Sequence, residues 1–245
     1  MATLPALFHA ASRCDRRAIV VGDPRQLPPI VQSNDELVRR AIGRNVFDVT
    51  VPDPERSEVV AMLQVQYRMH PAIGSLVGRL FYGGRLVNGA TGTEAITARA
   101  PFPGKAVVVV DTKSSCERSP KGSSRLNPTS AVVTADLALE AVRGGASSVA
   151  VITPYAAQAS EIRRLLAARA IDDAVECSTI HRFQGRECDV VLIDLVDAPP
   201  MRPSALIAEA PNLLNVSISR ALCKLVIVAD AGHFESADPG GLVTA

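Results

Sequence analysis

Short, almost uninterrupted apolar runs set the strongest limit on how this chain can fold. They fall at 18–21, 62–65, 105–110, 148–153, 190–196 and 225–229. Segments with helical periodicity lie between several of them. Strands that alternate with helices in this way build an α/β domain around a mostly parallel sheet. Helices are expected at 37–42, where Ser33-Asn34-Asp35-Glu36 has capping-box spacing, and at 71–81. Two more are expected at 131–142, stopped by Gly144-Gly145, and at 156–170, with Ile162, Leu165 and Leu166 on one face. Thr3 is placed to cap a short first helix with Pro5 in its opening turn. Residues 113–130, rich in Ser, Lys, Pro and Gly, are the best candidate for a mobile loop, and 236–245 read as a tail.

Composition narrows the class further. A length of 245 residues allows one large domain or two smaller ones, and 47% hydrophobic residues can bury a sizeable core. A net charge of +1 neither advertises nucleic-acid binding nor excludes a local basic groove. Cys14, Cys116, Cys177, Cys188 and Cys223 are scattered without CxxC spacing, so neither a zinc site nor a disulfide framework is suggested. Reduced thiols in a cytoplasmic setting are expected. No stretch of ~18 apolar residues predicts a membrane span, and no basic start followed by an apolar run predicts a signal peptide.

Five motifs carry chemistry. Gly22-Asp23-Pro24-Arg25-Gln26-Leu27-Pro28-Pro29 follows the run at 18–21 directly. Loops that leave the carboxyl ends of strands line the ligand crevice of an open α/β sheet, and a glutamine there can hold a water or a phosphate oxygen. By itself the octapeptide also reads as a proline-rich turn. Gln66-Tyr67-Arg68-Met69-His70-Pro71 comes second, followed by Phe81-Tyr82-Gly83-Gly84-Arg85-Leu86. Val151-Ile152-Thr153-Pro154-Tyr155 with Gln158 is third. Ser178-Thr179-Ile180-His181-Arg182-Phe183-Gln184-Gly185-Arg186-Glu187 is fourth, and Leu214-Asn215-Val216-Ser217-Ile218-Ser219-Arg220-Ala221 is fifth.

In this order and at these spacings the five motifs resemble superfamily 1 helicases of type 1B, in the branch of the nonsense-decay and senataxin-type enzymes. The resemblance covers roughly residues 18–230. It implies two RecA-like (P-loop NTPase) domains with ATP between them and single-stranded DNA or RNA lying across both. Residues 1–66 would be the C-terminal part of the first domain, and 67–235 the second. Gln26 resembles the glutamine that senses the γ-phosphate and the attacking water. Arg68 and Arg220 resemble the arginines that reach the γ-phosphate from the second domain. Phosphoryl transfer depends on positioning and charge stabilisation, which a forked, permanently charged guanidinium supplies. Tyr67 resembles the residue that stacks on adenine. Glu187 resembles the glutamate that binds the ribose, with Gly185 allowing close approach. Thr153, Tyr155, Ser178 and Thr179 resemble residues that contact the nucleic-acid backbone without reading sequence. His181 and Gln184 are given coupling roles, not metal binding. Ser130 departs from the pattern, because an acidic residue is common there.

Two elements of an ATP motor are missing from the sequence. No Gly-rich loop ends in Gly-Lys-Ser/Thr to cradle phosphates and ligate Mg²⁺. Gly104-Lys105 is followed by Ala106 and a strand, and Asp35-Glu36 opens a helix, so neither substitutes. In the family the acidic, magnesium-holding pair comes shortly before the stretch matching residues 4–17, so the chain is expected to be a fragment that begins just after it. The leading expectation is the C-terminal portion of an ATP-dependent helicase that uses ATP and Mg²⁺ when complete and has negligible ATPase alone. The alternatives are half of a split motor, completed by a separate chain, and a non-enzymatic single-strand binding module.

Overall fold

A computed structural model describes every residue except 1, 30, 32, 52–56, 121, 123, 184, 204–210, 238 and 240–245, and the side chain at 48. The chain divides into two compact units, Met1–Leu63 and Gln64–Ala245.

The first unit holds three short helices. Helix α1 (Leu4–Ala11) starts after Thr3 with a proline in its first turn, but Thr3 makes no side-chain cap bond. Helix α2 (Glu36–Ile42) is capped by Asp35, not by Ser33. The Asp35 carboxylate accepts from the N–H of Leu37 at 2.8 Å and of Val38 at 3.3 Å, while the Ser33 hydroxyl accepts from the Asp35 N–H at 3.1 Å. A carboxylate adjoining the helix reaches the first free N–H groups directly. Helix α3 (Val46–Thr50) is capped by Asn45. The buried strand expected at 18–21 does not form, and Ile19 and Val21 are 89% and 84% exposed. A strand draws its backbone hydrogen bonds from neighbours, and this unit contains no strand among its described residues.

The second unit is an α/β domain. The expected strand at 62–65 shrinks to β1 (Val65–Gln66), which pairs in parallel with β2 (Val87–Asn88). Between them lies α4 (Pro71–Phe81), which begins with proline and buries Ile73, Val77 and Phe81 along one face. Its first turn is capped by His70, whose Nδ1 accepts from the Ala72 N–H at 3.1 Å. A one-turn helix, α5 (Glu94–Thr97), leads to β3 (Val107–Asp111).

The stretch expected as a mobile loop carries a small antiparallel ladder, β4 (Glu117–Arg118) with β5 (Arg125–Leu126). Helix α6 (Pro128–Arg143) starts three residues earlier than expected because Asn127 caps it and Pro128 occupies its first turn. Then come β6 (Val149–Thr153), α7 (Ala156–Ala168), β7 (Val175–Thr179), a short 3₁₀ turn (Ile180–Arg182), β8 (Cys188–Asp194), α8 (Pro211–Ile218), β9 (Ala221–Ala229) and α9 (Ala231–Ala237). Part of the expected tail is therefore helical, and positions 238 and 240–245 lie outside the described residues.

Five strands form one parallel sheet in the order β3-β9-β8-β6-β7. The central strands are buried on both faces, which is why they read as continuous apolar runs. Val149, Val151, Val190, Leu192, Val226 and Val228 pack with α6 and α7 in one core cluster. Alternation along the strands turns Ala150, Ile152, Val191, Ile193 and Leu225, all fully buried, to the other face. A different side chain, the buried Lys224 ammonium, is stapled by the carbonyls of Arg99, Pro101 and Phe102. From β6 the chain passes through α7 to β7 on one side and then crosses to β8 on the other, so strand order reverses at β6.

Candidate functional site

The residues singled out in the second unit gather at opposite ends of this sheet. Glu187 directly precedes β8, and Arg220 directly precedes β9. The two strand starts are stitched together, since the Cys188 N–H donates to the Arg220 carbonyl at 3.1 Å. The Gln66–His70 turn joins them: the His70 N–H donates to the Leu222 carbonyl at 2.6 Å. Arg68 Nε then lies 2.7 Å from Glu187 Oε1, both side chains being about two-fifths exposed. Arg220 is buried, with its Nε donating to the Val216 carbonyl at 3.1 Å. Burial lowers its affinity for the proton, the charge of Arg68 lowers it further, and Glu187 opposes both. Glu187 thus pairs with Arg68 and is felt electrostatically by Arg220.

Tyr67 projects from the same turn and is 74% exposed. Its ring rests on Gly89, where an added Cβ would sit 2.5 Å from Tyr67 Cε1, leaving much of the side chain open to solvent. Gly185, two residues before Glu187, has φ +83° and open space about it. Backbone of this kind suits glycine and lets a ligand approach closely. Gln184 lies outside the described residues.

The other predicted group lies at the carboxyl ends of β6 and β7. Thr153 pairs in register with Thr179, and Ile152 with Ser178. Thr179 opens the 3₁₀ turn that carries the exposed His181. Ser178 and Thr179 are half-buried, whereas Thr153 is fully buried and its hydroxyl has no hydrogen-bond partner among the described residues. Tyr155 is half-buried, and its hydroxyl donates to Asp197 at 2.9 Å. Seven residues of β8 separate the two ends, about 20 Å at the rise of a parallel strand.

Gln26 belongs to the first unit. Its Nε2 donates to Asp23 Oδ2 at 2.9 Å, and the other Asp23 oxygen accepts from the Arg25 N–H, also at 2.9 Å. The turn is thereby closed by its own aspartate. Gly22 gives it room, because an added Cβ would meet the Phe47 ring at 2.8 Å.

Sequence reasoning missed two carboxylates beneath the second group. Asp194 ends β8 and is fully buried. It accepts from Gln158 Nε2 at 2.6 Å, the Ser130 hydroxyl at 3.1 Å and the Val196 N–H at 3.0 Å. Burial raises its pKa to about 6 against the pull of these hydrogen bonds. The departure at Ser130 gains a meaning here: an acid at 130 would face Asp194, and a hydroxyl instead donates to it. Asp197, also buried, accepts from Arg125 Nη1 at 2.7 Å beneath Tyr155, and the Arg125 guanidinium stands 5.6 Å from that ring. Asn127 ties the segments that follow β3 and β8 to α7 through Ser114, Val196 and Gln158. The available signal was an apolar run closed by an acid at 194, since a carboxylate ending a buried strand needs partners.

The five-stranded parallel sheet packed with helices has a RecA-like fold. Residues 43–232 match the AAA domain family. The chain belongs to that family and, within it, to the superfamily 1 helicases of the branch that includes regulator of nonsense transcripts 1 and DNA2. It is 30% identical to Regulator of nonsense transcripts 1 of Caenorhabditis elegans over 241 residues, covering 94% of this chain and 22% of that protein. It is 31% identical to 5'-3' DNA helicase ZGRF1 of Mus musculus over 225 residues, covering 89% of this chain and 12% of that protein. A solved structure, the C-terminal domain of a possible DNA helicase from Lactobacillus plantarum, is similar over 67% of this chain and 87% of its own, with TM-score 0.41 and 15% identity. The chain spans only 12–22% of these two curated relatives.

Proposed function

We propose that these residues form the C-terminal portion of a helicase motor that couples ATP hydrolysis to movement on single-stranded DNA or RNA. In this reading residues 67–235 are the second RecA-like domain and 1–66 the end of the first, a division close to that between the units Met1–Leu63 and Gln64–Ala245. The observation that carries the proposal is the convergence of Arg68, Glu187 and Arg220 at the starts of β8 and β9, with Tyr67 exposed beside them.

The residues present suit part of a nucleotide. An open tyrosine face can stack on a base, and two guanidiniums can stabilise charge on a transferring phosphoryl group. Arg68 exchanges its pairing with Glu187 for phosphate oxygens, which frees the glutamate to accept from ribose hydroxyls. Gln26 is proposed for the glutamine role that its motif suggests, holding a water. At the far end, Tyr155, Ser178 and Thr179 face the strand backbone, and His181 with Gln184 couples the two ends. Thr153 acts from beneath the surface.

Mg²⁺ would neutralise phosphate charge. Among the described residues no cluster of three or more His, Cys, Asp or Glu could hold it. No Gly-Lys-Ser/Thr run occurs in the sequence, and in this reading the phosphate loop and the magnesium ligands come from a further segment, on the same or a separate chain. No described helix is long and apolar enough to cross a membrane, and the five free cysteines accord with a cytoplasmic site.

The test is ATP turnover by the purified chain, alone and with a segment carrying the phosphate loop. Negligible turnover alone and strand-stimulated turnover after addition is expected. Turnover by the chain alone at rates normal for helicases would overturn the proposal. Salt-sensitive strand binding with no effect of nucleotide in either form would favour the binding-module alternative.

A further inference from the structure

The exposed arms Tyr67 and Arg68 stand on a turn whose inner face is built around one side chain. Gln66 Oε1 accepts from the N–H of Arg68 at 3.0 Å and of Met69 at 2.8 Å. Gln66 Nε2 donates to the Met69 carbonyl at 3.0 Å and to Asn88 Oδ1 at 2.8 Å. Asn88 is anchored in turn, since its Nδ2 donates to the Ser75 hydroxyl at 3.0 Å. One amide therefore satisfies three backbone groups of the turn and ties it to α4 and β2.

Neighbouring residues are shaped to this amide. Gly74 on α4 lies flush against it, and an added Cβ would collide with both Gln66 Nε2 and Asn88 Oδ1. Met69, the next inward residue, is buried, and the His70 N–H fixes the end of the turn to β9. The pattern in the sequence becomes intelligible: Gln66, Met69 and His70 hold, while Tyr67 and Arg68 project.

We infer that Gln66 is the positioning residue for the nucleotide end of this domain, setting where Arg68 meets the γ-phosphate and where Tyr67 meets the base. It touches no substrate and acts through the backbone of residues 68 and 69. The inference rests on the nucleotide-binding reading above. Groups that must meet developing charge gain most from being held beforehand, and this amide is the only side chain that any of the hydrogen bonds above places on the Arg68 N–H.

The experiment measures ATP and ADP affinity by calorimetry on the full 245-residue chain assembled with a segment that carries the phosphate loop, with amide exchange at Arg68 and Met69 recorded alongside. Wild type is expected to prefer ATP over ADP and to protect both amides. Gln66→Met keeps the side chain's length and removes all four hydrogen bonds. We expect it to lose protection at those two amides, to weaken ATP binding roughly tenfold or more, and to bring the ATP-to-ADP ratio close to one, with the thermal transition still cooperative. Gln66→Glu keeps the acceptor and loses the donor, so it is expected to recover part of the ATP preference.

If Gln66→Met fails to fold, Asn88→Ala removes only the outer anchor and should shift the ratio in the same direction by a smaller factor. An unchanged ATP-to-ADP ratio in a folded Gln66→Met or Asn88→Ala chain would overturn the inference while leaving the nucleotide reading intact. A wild-type assembly with protected amides that binds ATP and ADP equally, or neither, would overturn the nucleotide reading and the inference with it.

Discussion

The two ends of the five-stranded sheet are built in opposite ways. At the amino-terminal end Arg220 is buried, but its neighbours stand out: Tyr67 and Arg68 project, and Glu187 pairs with Arg68 in partial contact with water. The order there comes from behind, through Gln66, the His70 N–H and the paired strand starts. At the carboxyl end the charges are turned inward. Asp194 and Asp197 are buried and spend their oxygens on Gln158, Ser130, Tyr155 and Arg125. The contrast suggests two kinds of partner. A small, highly charged ligand is met by exposed charge on a rigid support. In the proposed reading a long backbone is met by a rim whose carboxylates are already hydrogen-bonded inward, with the half-buried Ser178 and Thr179 beside them.

The comparison breaks most visibly through the arginines. In the motor assembled with its phosphate loop, Arg68→Ala is expected to lower ATP turnover by ~10³-fold or more and to leave nucleotide-free strand affinity within about twofold. Arg220→Lys keeps the charge but not the fork, and is expected to lower turnover in the same direction. An equal loss of strand affinity in either variant would erase the division between the ends.

Asp197→Ala tests the opposite end. It removes the carboxylate beneath Arg125 and Tyr155, and losing one partner of a largely buried pair costs roughly 3 kcal/mol. Chemical denaturation should show that loss, strand binding should weaken, and the ATP-to-ADP ratio should hold.

Asp194 gives the carboxyl end a pH signature. Its folded-state pKa is raised to about 6 from 3.8, so the folded protein holds this proton more tightly than the unfolded chain. Its contribution to stability is complete below about 4 and is lost as pH rises through about 6. Asp194→Asn does not titrate there. The stability of wild type relative to this variant should fall across that window by roughly 3 kcal/mol at most, and a flat difference would contradict the burial argument. Glu187→Gln should have the smallest effect on stability. The pair is exposed, so thermal unfolding should move by less than about 1 kcal/mol, while ATP affinity responds.

Much of this contrast was legible in the sequence, and unequally so. The parallel sheet was readable because strands buried on both faces, such as Val149–Thr153 and Cys188–Asp194, keep long apolar runs. Helix α4 was readable to the residue because Pro71 and an apolar stripe mark it. Strand β7 was not recognised, since Glu176 and Ser178 interrupt its apolar character. The run at 18–21 has the same apolar character as the central strands, yet it forms no strand because pattern supplies a face and not a partner. The outward residues of the site, Tyr67, Arg68 and Glu187, and the buried Arg220 were marked by motif spacing. The supports behind them were not: Gln66 meets Asn88 across 22 positions, and Asp194 meets Gln158 across 36. No local pattern encodes such pairings.

The measurement that reaches the central claim most directly is a pair of hydrogen-exchange footprints on the chain assembled with its phosphate-loop segment, one with ATP and Mg²⁺ and one with a single-stranded oligonucleotide. ATP should protect the segments around 66–70, 185–188 and 219–221, and the oligonucleotide those around 153–156 and 178–182. Both ligands protecting the same end of the sheet, or ATP protecting only the carboxyl end, would contradict the account.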